Sequence, residues 1–309
     1  MNKKSKAGLS YALVTPARNE ESYIEKTLQS MVNQTVLPTK WVIVSDASTD
    51  GTDSIVKIYA AKYPWIQLIR MPDQRDRSFA AKVMCFRAGF EQLKNVHFDI
   101  IGNLDADISF EHDYFEFLLD KFEYIPELGV AGTPFIEEGY SSVTDSYEGE
   151  KHVAGACQLF RKECFSDVGG YVPIKGGGID WVAVTTARMK GWVTRSFKEK
   201  YFHHYRKLGT GESNRIKALF SYGLKDYYLG GHPLWQLFRI AYRSTKKPYF
   251  VGGFVLSAGY LWGMLKIRKR PISNELMLFH RKEQLAKLKE IFKKRIPGHK
   301  ECRENGILS

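Results

Sequence analysis

Short apolar segments alternate with segments of helical periodicity over the first 125 residues of the chain. In each helical segment apolar residues recur every three or four positions, as they do on one face of a helix. Strands that alternate with helices are typical of a parallel sheet covered by helices on both faces. We therefore predict an α/β fold with a mostly parallel sheet, whose first four strands occupy 9–15, 41–46, 66–70 and 98–103.

Two carboxylates separated by one alanine follow the fourth predicted strand. The apolar residues from Phe98 predict a buried strand that breaks at Gly102-Asn103, just before Asp105 and Asp107. Open α/β sheets bind ligands at the carboxyl ends of their strands. A pair of carboxylates there suits Mg²⁺ or Mn²⁺, which also accepts phosphate oxygens as ligands. An isolated Asp-x-Asp also occurs in solvated turns that begin a helix, so the pair alone leaves both interpretations open.

Further charged residues lie just past the ends of the other predicted strands. Their positions predict a ligand crevice along one edge of the sheet. No G-x-G-x-x-G fingerprint follows the first strand and the sequence contains no Walker loop, which disfavours dinucleotide and P-loop nucleotide binding. A nucleotide held by carboxylates and a metal ion stays compatible with the pattern. The charged residues are Arg18, Glu20, Asp46, Asp50 and Arg77.

Three segments together resemble a known family. VTPARNE (14–20), VIVSDASTDGT (42–52) and Asp105-Ala106-Asp107 are similar to the V-x-P-x-x-N-E, D-x-S-x-D-G-T and D-x-D signatures of glycosyltransferase family 2. They occur in the family's order and at its spacing, and the resemblance covers roughly residues 9–205. It implies the GT-A fold, a Rossmann-like sheet flanked by helices that binds a nucleotide-sugar.

The resemblance implies a set of donor-binding and metal-binding residues. It implies Mg²⁺ or Mn²⁺ on Asp105 and Asp107. FHHYR offers two candidates for a third ligand, His203 and His204, of which we favour His204. Alternatives stay open, since Asp46 also suits a turn, Arg77 an exposed helix start and His204 a strand end with ordinary partners. The residues expected to bind the nucleotide-sugar are Thr15, Pro16, Arg18, Glu20, Asp46, Arg77 and Asp105.

The segment GGGIDWVAVTTARMKGW (176–192) resembles the glycine-rich loop and E-D segment of the family. Asp180 stands at the position of the catalytic base, and Ile179 replaces the usual glutamate before it. The resemblance implies a single displacement that inverts the anomeric centre. The Q-x-x-R-W motif of processive synthases is absent, which disfavours a long-chain polymerase.

Positive charge is concentrated in the last third of the chain. Residues 195–309 contain 25 Lys and Arg against 8 Asp and Glu, whereas the 309-residue chain as a whole has a formal net charge of +12. Residues 1–194 are therefore slightly acidic. A strongly basic region suggests nucleic acid or an anionic membrane surface. Four cysteines without a C-x-x-C pair, after a polar amino terminus, lead us to expect reduced thiols in the cytoplasm.

The basic region contains PYFVGGFVLSAGYLWGML (248–265), eighteen residues without a charge. As a helix it would reach ~27 Å, which is marginal for a membrane span. Basic residues flank it on both sides, and Gly252, Gly253 and Gly259 would let it bend, so we expect a segment that dips into an anionic membrane and returns. The alternatives are a buried hairpin or a homodimer contact. Nucleic-acid binding is disfavoured because the aromatic residues do not alternate with the charges.

We therefore expect a GT-A catalytic domain over 1–210 and a helical, basic, membrane- or acceptor-associated region over 211–309. The expected activity is inverting transfer of one sugar from a nucleotide-diphosphate-sugar to an acceptor hydroxyl. The expected acceptor is a lipid-linked glycan of surface polysaccharide synthesis, at the cytoplasmic face of the cell membrane. A soluble transferase acting on a protein or small glycoside, and a non-catalytic nucleotide-sugar-binding scaffold, are the alternatives.

Overall fold

The computed structural model describes residues 8–72, 79–137, 140–141, 149–206 and 212–295. The chain divides into two compact units, Met1–Thr210 and Gly211–Ser309. Each unit is described by itself below, and the roles expected for the two regions stay predictions. Arg77 lies outside the described residues.

A seven-stranded sheet forms the centre of the first unit, in the order β10-β6-β9-β4-β1-β2-β3. All pairs are parallel except those of β9, which runs antiparallel to both β4 and β6. The prediction of an α/β fold with a mostly parallel sheet is confirmed. The strands are β1 Tyr11–Ala17, β2 Lys40–Ser45, β3 Ile66–Arg70, β4 Ile100–Leu104, β6 Leu128–Gly132, β9 Cys157–Arg161 and β10 Val193–Ser196.

Within the described residues of this unit, six helices connect the strands. The first four follow the apolar periodicity of the sequence; Leu118, Leu119 and Phe122, for example, are all buried under the sheet. The helices are α1 Ile24–Val32, α2 Thr52–Lys62, α3 Phe79–Glu91, α4 Tyr114–Tyr124, α5 Lys162–Val168 and α6 Ile179–Met189.

The predicted break of the fourth strand at Gly102-Asn103 is wrong, because β4 continues to Leu104. Gly102 lies between the side chains of Leu13 and Leu159, and an added Cβ would come within 2.5 Å of each. This glycine therefore lets neighbouring strands pack closely instead of ending the strand. The strand ends one residue before Asp105, which leaves both carboxylates at its carboxyl end.

A second, four-stranded sheet lies beside the carboxylates, in the order β5-β11-β7-β8. Strand β5 begins directly after Asp107 and pairs antiparallel with β11, so that His204 is opposite Ile108. Strand β11 also pairs parallel with β7. This sheet therefore fixes the histidine next to the carboxylates. Its strands are β5 Ile108–Ser109, β7 Phe135–Glu137, β8 Tyr140–Ser141 and β11 Phe202–His204.

The described part of the second unit is helical. The predicted bend at the glycines of 248–265 is wrong, because Gly252, Gly253 and Gly259 lie in one continuous helix and pack against neighbouring helices. Within the described ranges, every helix is too short or too polar to cross a membrane. The helices are α7 Glu212–Tyr228, α8 Pro233–Ser244, α9 Val251–Lys266 and α10 Asn274–Arg295.

Candidate active site

A lysine from helix α3 holds the first carboxylate of the pair. Lys82 Nζ lies 2.5 Å from Asp105 Oδ1, and Asn103 Nδ2 lies 3.3 Å from the same oxygen. Burial of the amine acts to lower the pKa of Lys82, but the Asp105 carboxylate outweighs burial and the pKa is raised. Lys82 is therefore a cation at neutral pH, and it faces the end of β4.

The second carboxylate, Asp107, is almost fully buried. Burial and the charge of Asp105 raise the pKa of Asp107, although the nearby His204 and Arg206 act in the opposite direction. His204 Nε2 and Arg206 Nε each lie 3.6 Å from Asp107 Oδ2. The folded protein therefore disfavours the anionic form of Asp107. A further positive charge next to this carboxylate would stabilise the anionic form.

Glu137 at the end of β7 orients His204. The Nδ1 atom of His204 lies 2.8 Å from Glu137 Oε1, and both side chains are buried. When Nδ1 carries the proton, it donates to Glu137 and the lone pair of Nε2 faces Asp107. A carboxylate that binds the second nitrogen of a histidine in this way is common behind metal ligands.

The side chains at this site supply some, but not all, of the ligands that a divalent cation needs. Asp107 Oδ2 and His204 Nε2 are close enough to bind one ion, whose remaining ligands would be water and phosphate oxygens. Asp105 is already paired with Lys82. Among the described residues, no cluster of three or more His, Cys, Asp or Glu side chains forms a closed metal site. Asp107 and His204 are therefore the residues that would hold Mg²⁺ or Mn²⁺.

Asp46 lies directly after β2 and presents an unused acceptor. One of its oxygens is 3.3 Å from Arg18 Nη1, whereas the other, Oδ1, is buried without a hydrogen-bond partner. A buried carboxylate oxygen without a donor is costly in the free protein. A ligand that supplies an N–H or O–H group here would satisfy it.

The two loops that carry the first two motifs hold each other in place. The backbone N–H of Asn19 donates to Ser48 Oγ, and Asn19 Oδ1 accepts from the backbone N–H of Thr49. Asn19 and Ala47 both adopt positive φ angles, of 55° and 53°. The cross-loop hydrogen bonds maintain this strained backbone conformation. Much of the motif therefore shapes the loops that place Arg18 and Asp46.

Arg206 connects the first motif to the carboxylate pair. Its Nη2 lies 2.5 Å from Glu20 Oε2, while its Nε faces Asp107. Glu20 is thus engaged by an arginine from the far end of the unit. The Thr15 hydroxyl is inside the core, where Trp41 Nε1 donates to it, and Pro16 is half-buried in the same strand. Donor binding by Thr15, Pro16 and Glu20 stays a prediction.

Asp180 lies in the first turn of α6, after Gly178 with a φ angle of 86°. It packs on Gly155, where an added Cβ would lie 2.8 Å from the Asp180 Cβ. A cavity of about 280 Å³ brings Asp180 together with the Lys82–Asp105 pair and His204. The end of β4, the start of α6 and the small sheet therefore meet at one cavity.

Sequence reasoning missed three residues of this site: Lys82, Glu137 and Arg206. Lys82 and Arg206 lie a few residues after Arg77 and His204, which the sequence analysis names. Their charge was the available signal, but their partners come from distant parts of the chain. Glu137 carries no local signal, since only the pairing of β7 with β11 brings it to His204.

Comparison with known proteins shows which proteins this chain resembles. Residues 12–151 match the family model "Glycosyl transferase family 2". A 4,4'-diaponeurosporenoate glycosyltransferase of Staphylococcus aureus (strain bovine RF122 / ET3-1) is 25% identical over 183 residues, which are 52% of this chain and 46% of the relative. The chain thus spans about half the length of the curated relatives it matches.

Solved structures share the fold. The mannosyltransferase PcManGT from Pyrobaculum calidifontis, solved with GDP-Man and Mn²⁺, matches with a TM-score of 0.53 at 16% identity, over 93% of this chain and 88% of that one. TarS 1-349 of S. aureus, solved with UDP-GlcNAc, matches with a TM-score of 0.52 at 16% identity, over 90% and 81%. Residues 12–151 are thus similar to glycosyltransferase family 2, and the chain has the GT-A fold.

Proposed function

We propose that this chain is an inverting, metal-assisted glycosyltransferase that moves one sugar from a nucleotide-diphosphate-sugar to an acceptor hydroxyl. The observation that carries the proposal is the cavity that Asp180 shares with the Lys82–Asp105 pair, beside Asp107 and His204. It combines a free carboxylate with groups suited to a diphosphate. Two proteins of similar fold, solved with UDP-GlcNAc and with GDP-Man, support a nucleotide-sugar donor.

Donor binding is assigned to the loops after β1 and β2 and to the carboxylate pair. Asp46 Oδ1 accepts a hydrogen bond from the nucleoside, which satisfies its buried oxygen. The Lys82 ammonium and the Arg206 guanidinium, whose charges already face the carboxylates, orient the anionic diphosphate. A Mg²⁺ or Mn²⁺ ion bound by Asp107 and His204 would neutralise the charge that develops on the leaving phosphate.

Transfer requires a base on the acceptor side. The acceptor oxygen forms a bond to the anomeric carbon while the bond from that carbon to the phosphate oxygen breaks. The hydroxyl proton passes to Asp180, and the diphosphate leaves with the bonding electrons. Asp180 is held in place by its contact with Gly155 and its position in the first turn of α6.

We further assign the acceptor to the lipid-linked glycans of surface polysaccharide synthesis, used at the cytoplasmic face of the membrane. Support comes from the second unit, which combines basic residues with large exposed apolar side chains. These features suit an enzyme whose acceptor is embedded in an anionic membrane.

The test is transfer of radiolabelled sugar from a panel of nucleotide-sugars to a bacterial lipid extract with Mn²⁺. A positioned base contributes ~10² to 10⁴ in rate, so Asp180→Asn should lose most of its turnover while it still binds the donor. Glu163→Gln, which changes an exposed carboxylate of the same unit, is the control. If Asp180→Asn turns over at the wild-type rate, Asp180 is not the base. If the wild type binds the donor but transfers no sugar, the non-catalytic scaffold is favoured.

A further inference from the structure

Helix α9 has two unlike faces. The face formed by its glycines is packed against other helices of the second unit. Gly259 lies against α7, where an added Cβ would come 2.1 Å from the carbonyl oxygen of Phe220. Gly223 of α7 is equally close to the carbonyl oxygen of Leu256. Only glycine allows two helix backbones to approach in this way. Gly252 and Gly253 make the corresponding contacts with α8.

The opposite face of α9 carries large apolar side chains that are exposed. Phe254 is 76% exposed and Leu265 is 74% exposed, and Leu261 and Trp262 between them are about half exposed. At 3.6 residues per turn, these four positions fall on one side of the helix. We call them the α9 face. Isolated exposed apolar residues are ordinary, but a continuous row along a helix marks an interaction surface.

The sequence on both sides of the α9 face is basic. From Tyr227 to Asn274 the sequence has eight Lys and Arg and no Asp or Glu. Lys246 and Lys247 precede the helix, and Lys266 and Arg268 follow its apolar part; all four residues are exposed. The Lys266 ammonium lies 5.1 Å from the ring centre of Trp262, at the edge of the face. The matching partner is therefore apolar in its interior and anionic at its surface.

An anionic lipid bilayer meets both conditions. A second copy of the chain would bring two sets of like charges into one interface, which costs free energy. With 16 residues, α9 is ~24 Å long, shorter than the ~30 Å hydrocarbon core. Helices with one apolar face and basic neighbours lie in the plane of the membrane interface.

We propose that α9 lies in the plane of an anionic bilayer, with the α9 face among the acyl chains and the basic residues at both ends of the helix on the headgroups. The proposal goes beyond sugar transfer and does not depend on it, because its test measures binding alone. Exposed apolar side chains on α8, such as Leu234 and Leu237, would extend the same surface.

The test is flotation of the full chain with vesicles of phosphatidylcholine, with and without phosphatidylglycerol. Basic residues near an anionic surface strengthen binding, so the wild type should bind the anionic vesicles at least ten times more tightly than the neutral ones. Phe254→Gln with Leu265→Gln should lose at least tenfold on anionic vesicles. The matched control is Leu278→Gln with Phe292→Gln, which changes two exposed side chains of α10 and should bind as the wild type does.

A second measurement locates the contact. Trp262 fluorescence should be quenched by lipids brominated in their acyl chains, and Trp262→Phe should lose that part of the quenching. Thermal unfolding of each variant should match the wild type. Failure of the wild type to float, or equal loss in the control pair, would overturn the proposal. So would a wild-type dimer in gel filtration that Phe254→Gln with Leu265→Gln converts to a monomer, since a second copy would then cover the face.

Discussion

Lys82 Nζ lies 2.5 Å from Asp105 Oδ1, so the first carboxylate of the Asp-x-Asp pair already has a cationic partner. Two carboxylates and a lysine therefore lie together at the end of β4. The lysine offsets one of the two negative charges, which it would not do in a metal site made of two carboxylates alone. Asp107 and His204 would therefore bind a divalent cation, whereas Asp105 stays paired with Lys82.

Removal of the Lys82 charge should strengthen metal binding in the absence of nucleotide. Lys82→Met keeps most of the length of the side chain but removes the charge that binds Asp105, which can then become a third ligand for a hard cation. We expect Mn²⁺ to bind this variant at least tenfold more tightly, a difference of ~1.4 kcal/mol, in titration calorimetry. Lys57→Met, on the exposed side of α2, is the control and should behave as the wild type. An unchanged or weaker affinity would show that Lys82 does not compete with the cation.

Glu137 should affect the metal through His204. In Glu137→Gln the amide cannot hold the imidazole as the carboxylate does, because the charge opposite Nδ1 is lost. Loss of such a partner typically weakens metal binding ~10- to 100-fold. Calorimetry with Mn²⁺ and a nucleoside diphosphate measures this, with Glu163→Gln as the exposed control. If the Mn²⁺ affinity stays at the wild-type value, His204 is not a ligand.

Gly155→Ala should lower turnover by displacing Asp180. The new methyl group would lie 2.8 Å from the Asp180 Cβ and 2.9 Å from its Oδ2, so the carboxylate must shift. A misplacement of ~1 Å can cost about 10² in rate. In a double-mutant cycle, Gly155→Ala should cost turnover in the wild type and almost nothing in Asp180→Asn. Equal costs in the two backgrounds would mean that the glycine acts independently of Asp180.

Asp99 should make the first unit less stable as pH falls. Partial burial acts to raise the pKa of Asp99, but hydrogen bonds from the backbone N–H and hydroxyl of Ser10 outweigh it, and the pKa is lowered. Because the folded state favours the carboxylate, this stabilisation is present above the ordinary pKa of 3.8 and is lost as pH falls through the folded value.

Asp99→Asn should therefore reduce the free energy of unfolding at pH 7 by about 1 kcal/mol or less, because the side chain is partly exposed. The difference from the wild type should shrink below pH ~4. Ser10→Ala, which removes one of the two hydrogen bonds, should show a smaller effect of the same sign. Denaturant titrations over this pH range provide the measurement, and a difference that is constant with pH would contradict the account.

Local patterns in the sequence were sufficient to predict the first three strands of the sheet. Apolar runs and helical periodicity placed β1 to β3 within two residues, because β1 and β2 are almost fully buried and β3 is a short apolar segment that begins at the buried Ile66. The break at Gly102 was mispredicted because a glycine that serves close strand packing looks the same in sequence as one that ends a strand.

The partners within the site could not be predicted in the same way. Lys82–Asp105, Glu137–His204 and Glu20–Arg206 are separated by 23, 67 and 186 positions, so each depends on the tertiary fold. The α9 face shows a similar limit. The sequence showed that this helix is apolar. It did not show which face is buried, because that depends on how α7 and α8 pack against the glycines.

The central claim is that the loops after β1 and β2 bind a nucleotide-sugar next to the carboxylate pair, and a thermal-shift screen of nucleotide-sugars with Mn²⁺ tests it most directly. A donor at 100 times its Kd should stabilise the wild type by ~2.7 kcal/mol. Asp46→Asn, which weakens the buried acceptor, should raise the Kd at least tenfold and reduce the stabilisation to ~1.4 kcal/mol or less. No stabilisation of the wild type by any donor, or an equal shift in Asp46→Asn, would contradict the account.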